Sequence, residues 1–222
     1  MIKSLKIKVV YNMKKITSVM LAFAMTFSVC TSSLSAYATQ NETIAYTYLL
    51  QDTEDDIAAI KQSWKKYLVG DVSNDDEQYV KDYIYNYVDR YNGVGGCEYA
   101  INSYHEPGGN TPPWRDAIST GADVEHQFVS IEALAKGYSM VGSTYHEDPD
   151  VLSKIKTALS WMYENCYNSE VDLDGKVNTN DWYYWKISSP CALVNTLILL
   201  EDELEAKYIN EGVAAINYFV PK

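Results

Sequence analysis

The chain has 222 residues, 47% of them hydrophobic, and a formal net charge of −12 at neutral pH. Its first 38 residues hold five lysines and no acidic residue, so residues 39–222 carry 13 basic and 30 acidic residues, a formal charge of −17. This acidic balance argues against nucleic-acid binding, because phosphates need a basic surface. It also means that an acidic polymer would be repelled unless basic residues were concentrated locally.

The first segment is typical of an export signal. After the basic start comes an apolar run from Ile16 to Val29, and Ala36-Tyr37-Ala38 supplies the small residues that signal peptidase requires. The run has about 14 residues, whereas a membrane-spanning helix needs about 20. The sequence predicts a signal peptide over residues 1–38, a secreted, extracellular product, and no membrane association after cleavage.

Residues 39–222 are long enough for one domain with a hydrophobic core. Apolar residues recur at helical spacing in six segments, and no segment shows convincing strand alternation. The predicted helices are Thr53–Leu68, Tyr79–Tyr91, Phe128–Tyr138, Val151–Cys166, Ala192–Leu200 and Ile209–Ile216. The fold class is therefore all-α, with helices joined as antiparallel neighbours.

Three local patterns refine this expectation. In the second helix a tyrosine recurs every four residues, which we interpret as core packing; the four are Tyr79, Tyr83, Tyr87 and Tyr91. Residues 92–123 are rich in Gly, Pro and Asn and are predicted to form a long loop, a feature that is often functional. Asp148 followed by Pro149 predicts the start of a helix.

Three cysteines follow the signal segment, namely Cys97, Cys166 and Cys191. An odd number without the spacing of a disulfide framework leaves their pairing undetermined. We expect at least two of them to be buried as small apolar residues.

The richest pattern begins at Trp161. The chain there reads W-M-Y-E-N-C-Y-N, then D-W-Y-Y-W-K-I-S-S-P from Asp181, then A-L-V-N-T-L-I-L-L from Ala192. Shorter matches are Gln62–Gly70, Trp114-Arg115-Asp116 and Tyr218–Pro221. In this order the segments resemble the N-terminal α-domain of polysaccharide lyase family 8, the hyaluronate, chondroitin and xanthan lyases, over roughly residues 44 to 221.

The resemblance implies part of an (α/α) toroid, an incomplete one of about six helices, whose loops line a cleft for an acidic polysaccharide. In the family's N-W-W-D-W-E-I-G-x-P motif the paired tryptophans stack on sugars, and they correspond to Trp182 and Tyr183. The remaining substrate-binding candidates are Asp181, Trp185, Trp114 and Arg115. A core role for the aromatic residues of this motif stays open. The motif's Asn, Asp, Glu and Gly are replaced by Asp181, Tyr184, Lys186 and Ser188, which alters the patch.

The family cleaves the bond next to a uronic acid by β-elimination, with an Asn, a His and a Tyr that lie downstream of this motif. No position here matches those catalytic residues. His105, His126 and His146 remain possible bases but lack the family's surrounding sequence, and we interpret His126 and His146 as surface or capping residues. The sequence thus predicts a truncated lyase domain over residues 39–222 that is inactive alone, with a separately encoded remainder as one partner.

A second hypothesis comes from the acidic stretch before the aromatic motif. Five residues match positions 1, 3, 5, 9 and 12 of a calcium-binding loop; they are Glu170, Asp172, Asp174, Asn178 and Asp181. The alternative is a solvated turn. The sequence predicts no required cofactor but leaves calcium open, and with it a calcium- or carbohydrate-binding interaction module without catalysis.

Overall fold

The computed structural model describes residues 54–70, 78–91, 93–171 and 181–220. These contain seven α-helices and two π-helical segments, π1 (Ile84–Asp89) and π2 (Tyr184–Ser188). The α-helices are α1 Glu54–Val69, α2 Gln78–Tyr83, α3 Cys97–Asn102, α4 Gly121–Ser139, α5 Pro149–Asn165, α6 Ser189–Leu199 and α7 Ala206–Phe219. The described residues form no strand, only an isolated bridge between Gly108 and Thr111. The all-α prediction is confirmed.

The chain divides into two compact units at the boundary between Trp64 and Lys65. The described part of the first unit is the beginning of α1, where Ser63 Oγ donates to the carbonyl of Ala59 at 2.9 Å. The second unit contains all the other helices, and the candidate site lies within it.

Helix α4 is the element against which most other helices of the second unit pack. A capping box fixes its start: the Thr120 side chain accepts from the Asp123 amide at 3.3 Å, and the Asp123 carboxylate accepts from the Thr120 amide at 2.9 Å. Helices α3, α5 and α6 all pack against it. Gly137 permits the close approach of α3, since a Cβ there would lie 2.5 Å from Cys97 Sγ.

Helices α4 and α6 run in the same direction. Ser188 Oγ donates to Glu125, and Asn195 Nδ2 donates to Glu132 at 3.0 Å. From the first hydrogen bond to the second, the residue number rises by seven on both sides, which only a parallel pair of helices allows. Helix α5 connects them as the return element. This relationship fits repeated helical hairpins, while the closed form of a toroid stays a prediction.

An aromatic cluster joins π2 to the end of the chain. The Tyr167 ring, which is fully buried, stacks on Phe219 with centroids 4.0 Å apart and on Trp185 with centroids 6.0 Å apart. The Phe128 ring of α4 completes the cluster, because it meets the Tyr167 ring in a T-shaped arrangement with centroids 4.9 Å apart. Such pairs add about 0.5–1.5 kcal/mol each beyond the burial of their area. The cluster therefore holds π2 against α4 and α7.

The start of α5 and the burial of the cysteines agree with the sequence, whereas one short helix does not. Asp148 caps α5 with Pro149 in its first turn, as predicted. Cys97 and Cys166 are buried and all three cysteines are free thiols, which agrees with the expected burial of at least two. The loop prediction for residues 92–123 missed the short helix α3.

Two other expectations were wrong. Three of the four tyrosines assigned to the second helix are not core residues: Tyr79, Tyr83 and Tyr91 are about half exposed or more, while Ile84 and Val88 provide the buried face. The Tyr87 side chain lies outside the described residues. His126 is not a surface or capping residue either, since only 4% of it is exposed.

We expect Tyr167→Phe to lower the free energy of unfolding by about 1–3 kcal/mol, because the Tyr167 hydroxyl donates to the buried carbonyl of Trp185 at 2.7 Å. Urea denaturation followed by circular dichroism measures this change. Tyr183→Phe removes a hydroxyl from a half-exposed ring and serves as the control, with a change within about 0.5 kcal/mol. Equal unfolding midpoints for the two variants would contradict the assignment.

We also expect stability to fall as the pH drops below about 6.5, the ordinary pKa of histidine. Burial lowers the pKa of His126, and the nearby Arg115 charge lowers it further against the opposing effect of Asp123. His126 Nε2 faces the Tyr99 hydroxyl at 3.2 Å, and Nδ1 is buried without a partner. The unfolded chain therefore gains a proton that the folded chain does not, at a cost of at most about 1.4 kcal/mol per pH unit.

Thermal or urea unfolding of His126→Gln between pH 7.5 and 5.5 tests this linkage, and we expect a flatter pH dependence than in the wild type. His105→Gln controls for the loss of a histidine elsewhere. If wild type and His126→Gln lose stability in parallel, the depressed pKa is ruled out as the cause.

Candidate functional site

The aromatic motif folds into one helical turn that continues into π2 and α6. The Asp181 carbonyl accepts from the amides of Tyr184 and Trp185 at 3.0 and 3.4 Å. The following turn is wider, since the Ser189 amide reaches back to the carbonyl of Tyr184. The turn divides its side chains between two faces, one packed into the protein and one open to solvent.

Trp182 and Tyr183 occupy the open face. They are 51% and 48% exposed, and both are among the exposed large hydrophobic side chains of the described residues. Their ring centroids lie 6.2 Å apart with an interplanar angle of 86°. The two rings therefore form a corner, so a flat ligand that stacks on one of them meets the other edge-on.

Trp185 and Asp181 occupy the packed face. Trp185 is 3% exposed, so its ring belongs to the aromatic cluster and offers no stacking surface. Asp181 Oδ2 accepts from the first amide of α4, that of Gly121, at 3.2 Å. A Cβ on Gly121 would lie 3.0 Å from Trp185 Nε1. This close approach lets both motif residues attach the turn to the start of α4.

A cleft of about 590 Å³ lies beside this turn. Its walls come from the loop before α4, the end of α5 and the packed face of the motif. The described lining residues are Asn110, Ala117, Ile118, Ser119, Thr120, Trp161, Asn165, Cys166, Asp181 and Trp185. Amide, hydroxyl and carboxylate groups are present, and this described lining contains no cation. Such a surface suits the hydroxyl groups of a sugar.

The loop residues Trp114 and Arg115, which are predicted to contact substrate, both make contacts within the protein. Trp114 is buried, and its Nε1 donates to the carbonyl of Ala100 at 2.6 Å. Arg115 Nε lies 3.3 Å from Asp123 Oδ1. Burial opposes ionisation of Asp123, but hydrogen bonds from Ser119 and Thr120 and the Arg115 charge together hold its pKa below the ordinary value. Trp114 thus supports the loop, and Arg115 already has a carboxylate partner.

Sequence reasoning missed much of the cleft. Asn110, Ser119 and Thr120 belong to the loop that Trp161 fixes in place, since Trp161 Nε1 donates to the carbonyl of Gly109 at 3.1 Å. The Thr120 capping signal was present in the sequence, as Thr-Gly-Ala-Asp before an apolar helix. Asn165 had no signal of its own beyond its place in the first motif.

Of the five calcium-ligand candidates, Glu170 and Asp181 are described, whereas Asp172, Asp174 and Asn178 lie outside the described residues. Within the described ranges no group of three or more His, Cys, Asp or Glu side chains could hold a metal ion. One carboxylate oxygen of Asp181 is engaged by α4. The calcium loop stays a prediction.

The signal peptide predicted over residues 1–38 also lies outside the described residues. In the ranges that are described, no helix combines the length and the apolar character needed to cross a bilayer.

Comparison with known proteins gives consistent matches. A family model for the N-terminal α-helical domain of polysaccharide lyase family 8 matches residues 64–222. Xanthan lyase of Bacillus sp. strain GL1 is 28% identical over 102 residues, which are 46% of this chain and 10% of that protein. Hyaluronate lyase of Staphylococcus aureus is 29% identical over 123 residues, 49% of this chain and 15% of that protein.

A solved structure agrees with these sequences in fold. Chondroitin AC lyase of Streptomyces coelicolor A3, in complex with chondroitin sulphate, superposes with a TM-score of 0.60 and 19% identity over 74% of this chain and 20% of that one. The chain thus spans a fifth or less of the length of these relatives. Because the family model covers well over half of the sequence, the chain belongs to polysaccharide lyase family 8, with the N-terminal α-helical domain of that family.

Proposed function

We propose that the chain is the sugar-binding N-terminal part of a secreted lyase that cleaves uronic-acid-containing polysaccharides, such as hyaluronan, chondroitin or xanthan, by β-elimination. The observation that carries the proposal is the solvent-exposed corner formed by Trp182 and Tyr183, on the same turn whose residues Asp181 and Trp185 line the cleft. Core aromatic residues would be covered, as Trp185 is. These two rings are held in place by packing that leaves their own surfaces open.

The corner has the physical properties of a sugar platform. A flat aromatic face matches the C–H face of a pyranose and orients it without using its hydroxyl groups. The hydroxyl groups of the sugar then stay free for hydrogen bonds to polar side chains. Because the rings are almost perpendicular, Trp182 and Tyr183 contact different parts of one sugar or two successive sugars. An oligosaccharide should therefore bind better than a monosaccharide.

The chemical step needs groups that this platform does not supply. β-Elimination requires neutralisation of the uronate carboxylate, removal of the C5 proton and protonation of the leaving oxygen. Neither His105, His126 nor His146 lines the cleft. His146 Nδ1 lies 3.0 Å from the carbonyl of Tyr138, and His126 is buried. We therefore assign binding to this part of the enzyme and the chemistry to other residues of a complete lyase.

We expect Trp182→Ala to weaken binding of hyaluronan, chondroitin and xanthan oligosaccharides, because it removes one stacking face. Base stacking on aromatic rings, a loose analogy, contributes about 1–3 kcal/mol per face. A platform of one or two rings should give millimolar to high micromolar affinity, about −4 to −6 kcal/mol. Isothermal titration calorimetry of wild type and variant measures the difference.

Tyr183→Ala and Tyr79→Ala form a matched pair for this experiment, since both remove an exposed tyrosine and Tyr79 lies on another element, α2. Tyr183→Ala should weaken binding and Tyr79→Ala should not. Equal heats of binding for wild type, Trp182→Ala and Tyr183→Ala would contradict the claim that the aromatic rings bind the sugar.

We expect residues 39–222 alone to show no lyase activity. Groups that act together at one sugar lose many orders of magnitude when they are absent together, and uniform binding does not accelerate the chemical step. The unsaturated product absorbs in the near ultraviolet, so the assay is direct. An increase in absorbance that Arg115→Ala or His126→Ala abolished would reveal a complete catalytic site in this chain.

A further inference from the structure

The open face of the motif turn contains a cation beside the aromatic corner. Lys186 follows Trp182 by four residues, and four residues in an α-helix return to within about 40° of the same direction. The wider π-helical turn also brings residues four apart close to one another. Lys186 is partly exposed, whereas its neighbour Trp185 is buried. Lys186 therefore shares the solvent-facing side of the turn with Trp182 and Tyr183.

Most cations of the described residues already have partners. Ion pairs join Lys65 to Glu201 and Asp202, Arg90 to Glu98, Arg115 to Asp123, Lys136 to Glu132, Lys154 to Asp150, and Lys156 to Glu205. The Lys207 ammonium lies over the Tyr208 ring at 4.5 Å, and Lys61 and Lys66 make other contacts. Within the described ranges, Lys81 and Lys186 have no ion pair, hydrogen bond or ring contact. Lys186 alone of these two lies next to the corner.

We propose that Lys186 binds the carboxylate of a uronic acid adjacent to the sugar stacked on Trp182, and that it makes this site prefer acidic over neutral chains. The inference rests on the proposed function and names the residue that selects the charge of its ligand. The net negative charge of the chain repels an acidic polymer, and one unpaired ammonium at the platform supplies the local attraction that such a polymer needs.

The surroundings of the site favour this assignment. The described lining of the cleft contains no cation, and Arg115 is held by Asp123. A lysine suits the role, since its ammonium is a compact charge on a flexible stem and needs no fixed planar partner. The family motif has glutamate at this position, so the sign of the charge beside the aromatic pair is reversed in this chain. The preference should therefore be a property of this chain and not of the motif.

The experiment compares a hyaluronan tetrasaccharide with its carboxyl-reduced form, in which a neutral hydroxymethyl group replaces each uronate carboxylate. The whole chain should bind the acidic form about two- to five-fold more tightly, the range expected for an exposed charge pair. Lys186→Gln should abolish this ratio, Lys186→Glu should reverse it, and Lys186→Arg should retain it. The ratio should also shrink near about 1 M salt, where charges are screened over about 3 Å.

Lys81→Gln is the matched control, because it removes the other unpaired lysine, on α2, and should leave the ratio unchanged. Equal binding of the two ligands by the wild type, or the same loss in Lys81→Gln as in Lys186→Gln, would overturn the role of Lys186 while leaving the aromatic platform intact. The sugar-binding role of the aromatic platform is contradicted separately if Trp182→Ala binds both ligands as tightly as the wild type does. Absence of binding to either ligand overturns both proposals.

Discussion

The geometry of the site depends on one hydrogen bond, from the buried Tyr167 hydroxyl to the carbonyl of Trp185. In a π-helical turn that carbonyl would accept from the amide five residues later, but residue 190 is a proline and has no N–H. The amide of Ser189 is already bonded to Tyr184. Tyr167 supplies the missing donor, and its ring stacks on that of Trp185. Because of the proline, the Trp185 carbonyl lacks a backbone donor, and the Tyr167 hydroxyl takes its place. This hydrogen bond fixes the rotation of the turn.

This fixed rotation explains how four consecutive aromatic residues have different roles. Trp185 packs against Tyr167 and Gly121, while Trp182 and Tyr183 are left about half exposed to solvent. Asp181 adds a second attachment at the first amide of α4, where a carboxylate is favoured by the helix dipole. The exposed rings are therefore held by groups that never touch the solvent face, an arrangement that keeps a binding surface rigid without covering it.

Periodicity predicted the helices well where one face is apolar, as in α5 with its Asp148 cap and Pro149. It failed at Tyr79 and Tyr83 of α2 and at Tyr91, because spacing shows which residues share a face but not whether another element covers that face. The short helix α3 has no apolar repeat long enough to detect. The pairing of Arg115 with Asp123 depends on how the loop meets the α4 cap, and the burial of Trp185 depends on the phase of a π-helical turn. Neither is encoded in local residue spacing.

The central claim is that sugar meets the chain at the Trp182 and Tyr183 corner. The five tryptophans give five indole N–H signals in a two-dimensional NMR spectrum, so a titration with hyaluronan oligosaccharide reports on all of them at once. The account predicts that the Trp182 signal shifts progressively while that of the buried Trp114 stays in place. A shift of the Trp161 signal without Trp182 would instead place the sugar away from the corner, in one of the two pockets that Trp161 lines, the cleft beside the turn or the groove of about 600 Å³ along α5. That result would contradict the account.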